Sequence, residues 1–262
     1  MSPLTAALVA QQNPTDRWWW GEWLGRDTNQ ELILDATREH VVLTVAAVVI
    51  GLVLALPAAI AVNRHPRLKG LVLGTFGALY TVPSLALYAI LVPYTGLSRT
   101  TALVPLVLYT LLILVRNTIT GLEQVPADVR DAADGMGLSR RQRLWRVEMP
   151  LALPSIMAGI RIATVSTIGL LTIAALVGLG GLGQLILIGL NRPIRTAVTV
   201  GIALSILLAV GSDLLLAGVG RKLAPWSTPR SRRGRSGVAG PDERDDELPG
   251  AVATLPDGAV TA

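Results

Sequence analysis

Residues 41–62 read VVLTVAAVVIGLVLALPAAIAV, an apolar stretch that contains no charged side chain. A helix needs about 20 apolar residues to cross the hydrocarbon core of a bilayer, so this stretch predicts a membrane-spanning helix. Similar stretches follow at 71–92, at 101–115 with Thr118 and Ile119 extending it, at 151–190 and at 197–219. The sequence therefore predicts an all-α integral membrane protein with several crossings.

The composition excludes several classes of function. Only 16% of the 262 residues are charged, whereas a soluble domain has about a quarter. Cysteine is absent, which excludes a disulfide framework, a thiolate nucleophile and a cysteine metal site. The two histidines, His40 and His65, are far apart in the sequence, and we predict no metal site. The net charge of +5 indicates membrane orientation rather than nucleic-acid binding, because the basic residues lie between the apolar stretches.

The apolar stretch at 151–190 is too long for one crossing. A straight helix of that length would measure roughly 60 Å at 1.5 Å per residue, about twice the hydrocarbon thickness. The segment GLGGLG at 178–183 predicts a break, since glycine is a poor helix former and permits a turn. Residues 184–190 are too few to cross again and are predicted to be re-entrant or interfacial. Five spans result, and the second is interrupted at Pro83, where we expect a kink or a gating hinge.

The basic residues predict the orientation of these spans. With five crossings, 16 Lys and Arg residues lie on the side of the C-terminus and 6 on the side of the N-terminus. The excess predicts an N-terminus outside and a C-terminus in the cytoplasm. We divide the chain into an extracytoplasmic segment at 1–36, a transmembrane domain at 37–222 and a disordered cytoplasmic tail at 223–262. The first segment carries tryptophans expected at the lipid headgroups or in a packed cap, namely Trp18, Trp19, Trp20 and Trp23.

The loop between the third and fourth spans, residues 121–150, carries the pattern that indicates function. It predicts two short helices, 127–136 and 140–148, separated by a glycine turn and ended by Pro150. Pro126 and Ser139 are typical of helix starts. Small side chains on the first helix would let a partner protein approach closely, and arginines on the second would supply charge; these residues are Ala132, Ala133, Arg140, Arg141, Arg143 and Arg146.

The spacing in this loop resembles the EAA motif of ABC importer permeases, which reads Glu-Ala-Ala, three residues, Gly, nine residues and Ile-x-Leu-Pro. The residues at these positions are Asp131, Ala132, Ala133, Gly137, Val147, Met149 and Pro150. Asp131, Val147 and Met149 depart conservatively from the motif. Further segments resemble the glycine betaine/carnitine/choline branch of the family: YTVPSLAL at 80–87, YTLLILVRNTITGL at 109–122, LALPSIMAGIRIA at 151–163 and AALVGLGGLG at 174–183.

The resemblance implies a type I ABC importer permease core in the cytoplasmic membrane, surrounded by lipid. It implies a cytoplasmic ATPase subunit that docks on the loop, an extracytoplasmic substrate-binding protein, and a second permease subunit, identical or homologous. The implied cargo is an osmoprotectant or quaternary amine such as glycine betaine, carnitine or choline. The chain lacks the G-x-x-x-x-G-K-[ST] phosphate loop, so we expect no enzyme activity, no cofactor and no catalytic residue of its own, with ATP bound by the partner.

Other functions stay open at this point. An ABC permease could carry another small solute, such as an amino acid or a thiol-betaine. An ion-coupled secondary transporter would require paired acidic groups at midplane or an inverted repeat, and the first three spans contain no Asp or Glu. A membrane scaffold without transport would leave the loop spacing a coincidence.

Two charged residues lie within the predicted spans. Arg161 is a functional candidate because an intramembrane charge is costly, and we favour a structural pair with another helix. Asp213 is expected to reach the interface or to pair with a neighbour. Three tyrosines could line a cation–π route for a quaternary ammonium group, although packing is the simpler interpretation; they are Tyr80, Tyr88 and Tyr94.

Overall fold

The computed structural model describes residues 19–192 and 194–227, and all regular secondary structure in this part of the chain is helical. Trp18 and nearly all of the predicted tail lie outside the described residues. The α-helices, numbered in chain order, are α1 (Gly21–Leu24), α2 (Asp27–Arg64), α3 (Leu68–Thr81), α4 (Ser84–Thr95), α5 (Arg99–Glu123), α6 (Ala127–Gly135), α7 (Arg140–Arg143), α8 (Met149–Ala174), α9 (Gly183–Asn191) and α10 (Arg195–Leu223). A π-helical turn, Leu144–Glu148, joins α7 to α8, and short 3-10 turns occupy Ala175–Val177 and Pro225–Ser227.

Helix α5 lies at the centre of the bundle, between α2 and α8. Its Leu106 and Leu114 are fully buried and belong to one apolar cluster with Ala47 and Ala59 of α2 and Leu171 of α8. Small side chains such as these alanines let membrane helices approach closely. Helix α2 begins at Asp27, well before the predicted span at residue 41, so the helix is longer than its apolar stretch.

Four helical segments are long and apolar enough to cross a membrane. They are Asp27–Arg64, Arg99–Glu123, Arg140–Val177 and Arg195–Leu223. The pair formed by α3 and α4 passes the same test together but is bent by 84°. The predicted all-α membrane architecture is confirmed, with 4 candidate spans, or 5 if the bent pair is one span.

The bend between α3 and α4 lies at Pro83, where the sequence predicts an interruption. Helix α3 ends at Thr81, and Pro83 precedes the first residue of α4. Proline has no N–H and cannot continue the hydrogen-bond ladder. The Tyr109 hydroxyl donates to the freed Val82 carbonyl, and the Tyr109 ring contacts Tyr80 edge to face at 5.3 Å between centroids. Helix α5 thus stabilises the break.

The glycine-rich segment at 178–183, called the glycine loop below, interrupts the long apolar stretch as predicted. Helix α8 ends at Ala174, the 3-10 turn that follows it ends at Val177, and Gly178 then adopts a left-handed backbone with φ of 79°. Helix α9 has 9 residues, fewer than half of the number that a crossing needs. It packs on the first half of α10, and further along that helix Leu207, Leu214 and Leu215 are largely exposed.

Candidate functional site

The loop at 121–150 folds as two short helices that meet at a glycine turn. Pro126 precedes α6, and Gly137 follows it with φ of 77°, a left-handed conformation that side-chain-bearing residues rarely adopt. The Gly137 N–H donates to the Asp134 carbonyl at 2.9 Å, and the Leu138 N–H donates to the Ala133 carbonyl at 3.2 Å. These bonds satisfy carbonyls at the end of α6. The turn therefore fixes where the second helix starts.

The second helix begins with a capping box at Ser139. The Ser139 hydroxyl accepts from the Gln142 N–H at 3.3 Å, and the Gln142 side-chain oxygen accepts from the Ser139 N–H at 2.9 Å. This reciprocal arrangement satisfies two backbone donors that a helix start leaves without partners. The predicted cap at Ser139 is confirmed.

The prediction that Pro150 ends this helix is wrong. The chain continues from α7 through the π-helical turn into α8 without a break, from Arg140 to Val177. A proline inside an α-helix clashes with the carbonyl four residues earlier. Immediately before Pro150, the Met149 N–H bonds to Leu144 O, five residues back, so the helix is wider there. We attribute the continuity to this wider turn, which makes the second loop helix a rigid extension of α8.

The residues at the EAA-type positions differ in exposure. Asp131, Ala132 and Gly137 are exposed, while Val147, Met149 and Pro150 are half-buried. Ala133 is only 1% exposed, so of the two small residues predicted to face a partner only Ala132 is accessible.

Two large side chains that the sequence analysis did not single out add to the exposed surface of the loop. Met136 is 72% exposed and Trp145 is 53% exposed. Exposed aromatic and Met side chains are typical anchors of protein interfaces. An isolated Trp in a basic helix is the sequence signal that would have singled out this exposed side chain.

A buried carboxylate lies beneath this surface. Glu148 is 3% exposed, and its two oxygens accept from Asn63 Nδ2 of α2 and from Arg143 Nε, each at 3.0 Å. Arg130 Nε of α6 lies 3.7 Å from the same carboxylate. Arg143 also contacts Asp134, at the end of α6. We call these five residues the Glu148 cluster.

The Glu148 cluster joins elements that are far apart in the sequence. It contains two guanidinium groups and two carboxylates, so its charges balance, as burial of charge requires. Arg130 additionally donates to the Leu122 carbonyl near the end of α5. The cluster therefore ties both loop helices to the ends of α2 and α5, and the sequence analysis missed it.

A cavity of about 730 Å³ opens beside the cluster. Its walls include Arg64, His65, Arg140 and Arg141 together with Glu148, so the lining is mainly basic. No group of three His, Asp or Glu side chains that could hold a metal occurs among the described residues.

The two intramembrane charges pair with each other. Arg161 Nε and Nη2 of α8 donate to the two oxygens of Asp213 of α10, at 2.8 and 2.7 Å. The predicted interhelical pairing of Arg161 is confirmed, and Asp213 is its partner. The two side chains are 38% and 35% exposed, so the pair lies at the bundle surface rather than in its core.

The tyrosines considered for a cation–π route do not share one environment. Tyr88 is fully buried, Tyr80 is 41% exposed and contacts Tyr109, and Tyr94 is 85% exposed. These contacts favour packing roles for Tyr80 and Tyr88.

At the other end of the bundle, α2 holds the glycine loop. Glu39 accepts from the Gly181 N–H at 3.3 Å. His40 is fully buried, and its Nδ1 accepts from the Leu182 N–H at 3.1 Å. Its Nε2 therefore carries the proton and donates to the Ile168 carbonyl of α8 at 3.2 Å. Neighbouring acidic and imidazole side chains just before an apolar stretch are the sequence signal for this contact.

The N-terminal tryptophans within the described residues divide between the two predicted environments. Trp23 is 4% exposed and packs within the chain, whereas Trp19 is 68% exposed. Trp20 stacks with Arg26 at 5.3 Å, and its backbone N–H donates to Thr196 Oγ1 at 2.9 Å. Part of this group is a packed cap, as one of the two interpretations predicts.

Comparison with known proteins identifies relatives over most of the chain. Residues 47–225 match the family described as binding-protein-dependent transport system inner membrane component. The glycine betaine/carnitine/choline transport system permease protein OpuCB of Bacillus subtilis is 37% identical over 198 residues, covering 76% of this chain and 91% of that protein. The osmoprotectant import permease protein OsmW of Salmonella typhimurium is 37% identical over 193 residues, covering 72% and 90%.

The fold is also found among solved transporters. A chain of the MetNI methionine ABC transporter, in an inward-facing conformation, aligns with a TM-score of 0.69 at 20% identity, covering 76% of this chain and 99% of that one. The family predicted from the EAA-type spacing is thereby confirmed. This chain belongs to the family of binding-protein-dependent transport system inner membrane components, the permease subunits of ABC importers.

Proposed function

We propose that the chain forms the translocation pathway of an ATP-driven importer for a small osmoprotectant, with glycine betaine, carnitine or choline as the cargo class. The observation that carries the proposal is the EAA-type loop, which the chain presents as a capped pair of helices anchored on a buried ion cluster. The names of the relatives support the cargo class. An amino acid or a thiol-betaine is the alternative cargo.

The loop is proposed to dock an ABC ATPase subunit, which binds the ATP. Its exposed surface combines a small residue, Ala132, with the anchors Met136 and Trp145 and with basic side chains. Such a surface suits a groove that is apolar at its floor and acidic at its rim. Because the second loop helix is continuous with α8, a displacement of the loop would tilt α8 directly.

The proposed topology has five spans, with the N-terminus outside and the C-terminus in the cytoplasm. Asn63 at the end of α2 and Glu123 at the end of α5 both contact residues on the loop side, Glu148 and Lys69 respectively. If α2 and α5 both cross and both end on that side, the chain must return between them through α3 and α4. This requirement supports treating the bent pair as one crossing, and the excess of basic residues supports a cytoplasmic loop.

The remaining partners follow from this arrangement. A substrate-binding protein would deliver cargo at the outer end, where the glycine loop and the N-terminal tryptophans lie. A second permease subunit, identical or homologous, would complete the pathway. The exposed apolar face of α10, with Leu207, Leu214 and Leu215, would face that subunit or lipid.

The first experiment tests the ATPase contact. The chain is co-expressed with candidate ATPase and binding-protein subunits from the same organism, and co-purification of the ATPase and uptake of radiolabelled glycine betaine are measured. We expect Trp145→Ala to reduce both by about tenfold or more, the typical effect of losing an aromatic interface anchor. Trp19→Ala removes an indole that is even more exposed, from the other end of the bundle, and should leave co-purification unchanged.

The same preparation separates the alternatives. Uptake that collapses with an ionophore but survives depletion of ATP would indicate a secondary transporter and contradict the proposal. ATP-dependent uptake of a radiolabelled amino acid such as methionine, without uptake of radiolabelled glycine betaine, would retain the permease and change its cargo. Normal co-purification with Trp145→Ala and with a Met136→Ala, Trp145→Ala double variant would contradict docking at this surface.

A further inference from the structure

Helix α2 is held by polar side-chain contacts at two places, one toward each end of the bundle. At the loop end, Asn63 donates to the buried Glu148 carboxylate at 3.0 Å. Toward the other end, Glu39 and His40 accept backbone N–H groups of the glycine loop. Residues 41–62 between them contain no charged side chain. The two contact points lie roughly 35 Å apart along the helix at 1.5 Å per residue.

From this geometry we infer that α2 is a connecting rod, which transmits displacement of the loop from the Glu148 cluster to the glycine loop at the opposite end. The inference rests on the proposed function, since it assumes that an ATPase moves the loop. It assigns positioning roles to Asn63, Glu148, Glu39 and His40. It also adds α2 to α8 as an element that the loop drives.

The contact at the loop end is strong because the Glu148 carboxylate, which accepts the hydrogen bond from Asn63, is buried. A carboxylate that is 3% exposed cannot exchange a lost partner for water at low cost, so Asn63 and Arg143 stay with Glu148 when the loop moves. Lys69 and Glu123 form another contact near the same end, at 2.7 Å, but their side chains are 43% and 51% exposed. Water screens such a pair, and it can break and reform freely.

At the far end, α2 contacts the backbone of the glycine loop rather than its side chains. Gly180 and Gly181 have φ of 46° and 74°, so this turn depends on glycine and has few conformations open to other residues. A Cβ atom on Gly180 would lie 2.2 Å from the Glu39 carboxylate, which shows how closely α2 approaches the loop. Because His40 also donates to the Ile168 carbonyl, α2, α8 and the glycine loop meet at one point.

The test removes the contact of α2 at the loop end and measures the response at the opposite end. Asn63→Ala removes one hydrogen bond and leaves the Arg143–Glu148 pair in place, so the fold is retained. Glu123→Gln, which breaks only the exposed pair, is the matched control. The full complex with ATPase and binding protein is reconstituted in liposomes, and glycine betaine transported per ATP hydrolysed is measured. We expect Asn63→Ala to lower this ratio by about tenfold, as for a hydrogen bond to a charged group, and Glu123→Gln to leave it unchanged.

A thiol reporter on the glycine loop gives a measurement that would not change if Asn63 had only a structural role. The chain contains no cysteine, so Leu179→Cys introduces a single thiol at a position that is 5% exposed. We expect its reaction with a maleimide to change between the nucleotide-free and ATP-bound complexes. That change should persist with Glu123→Gln and disappear with Asn63→Ala.

The outcomes separate the rod from the proposed function. A thiol that responds equally with and without Asn63, or that never responds in a complex that transports, overturns the rod and leaves the permease assignment intact. A parent chain that binds no ATPase overturns both. A parent that couples ATP hydrolysis to the thiol response but carries no betaine contradicts only the cargo, because neither of those readouts depends on it.

Discussion

Arg143 is the residue on which the Glu148 cluster depends most, because it contacts both carboxylates. Its Nε donates to Glu148 at 3.0 Å, and its Nη1 contacts Asp134. Removing one partner of a buried ion pair costs roughly 3–5 kcal/mol, since the other charge stays buried. Arg143 is itself 24% exposed, and Asn63 would still donate to Glu148, so the loss should fall below that range.

We predict that Arg143→Met destabilises the chain by about 2 kcal/mol. Methionine retains much of the side-chain length, so the effect isolates the charge. Arg141→Met changes an exposed arginine of the same helix and should shift stability by less than about 0.5 kcal/mol. Thermal unfolding of both variants in detergent measures the difference. Equal melting temperatures would contradict the assignment of Glu148 as a buried, charged group.

At the scale of elements, the π-helical turn explains both the continuity of the loop helix and the pairing within it. Side chains three or four residues apart share a face of an α-helix, whereas Arg143 and Glu148 are five apart and still pair. A π-helical turn contains one more residue per hydrogen-bonded ring than an α-helical turn. The additional residue widens the helix just before Pro150 and brings Arg143 over Glu148.

This interpretation predicts the effect of removing one residue from the turn. Deleting the exposed Arg146 would convert it to an α-helical turn, in which Arg143 and Glu148 are four apart and can still pair. Pro150 would then clash with a carbonyl, at a cost of about 3 kcal/mol. We therefore expect the deletion alone to lower the melting temperature and the deletion combined with Pro150→Ala to restore most of it. If the deletion alone leaves the melting temperature unchanged, the π-helical turn is not needed to accommodate Pro150.

The same elements show what the sequence can and cannot predict. Pro126, Gly137 and Ser139 act within one turn of the chain, so the start and end of α6 and the cap before α7 follow from local rules. The rule that proline ends a helix is equally local, and it failed at Pro150 because the wider turn relieves the clash. The pair formed by Asn63 and Glu148 spans 85 positions, and no local pattern indicates a contact at that separation.

At the scale of the whole molecule, contacts between distant segments constrain which ends share a side of the membrane. The end of α2 and the end of α5 meet the loop through Glu148 and through the Lys69–Glu123 pair. At the opposite end, a Cβ atom on Gly178 would lie 3.4 Å from Leu97, which connects α4 to α5. The start of α5 and the glycine loop therefore share a side. The charge count assumed five crossings, and the strong asymmetry that it gave agrees with this arrangement, although it contains no information about the 84° bend.

The bent pair supplies the decisive test of this arrangement, because a re-entrant loop and a broken span place Tyr94 on opposite sides. Tyr94 lies one residue before the end of α4 and is 85% exposed, so Tyr94→Cys is accessible, and its thiol is the only one in the chain. An impermeant maleimide should label it in intact cells, together with Leu190→Cys beside the glycine-loop end. Arg141→Cys on the loop should react only after the cells are opened. If Tyr94→Cys reacts only after the cells are opened, as Arg141→Cys should, α3 and α4 form a re-entrant loop. In that case α2 and α5 cannot both be full crossings that end on the loop side.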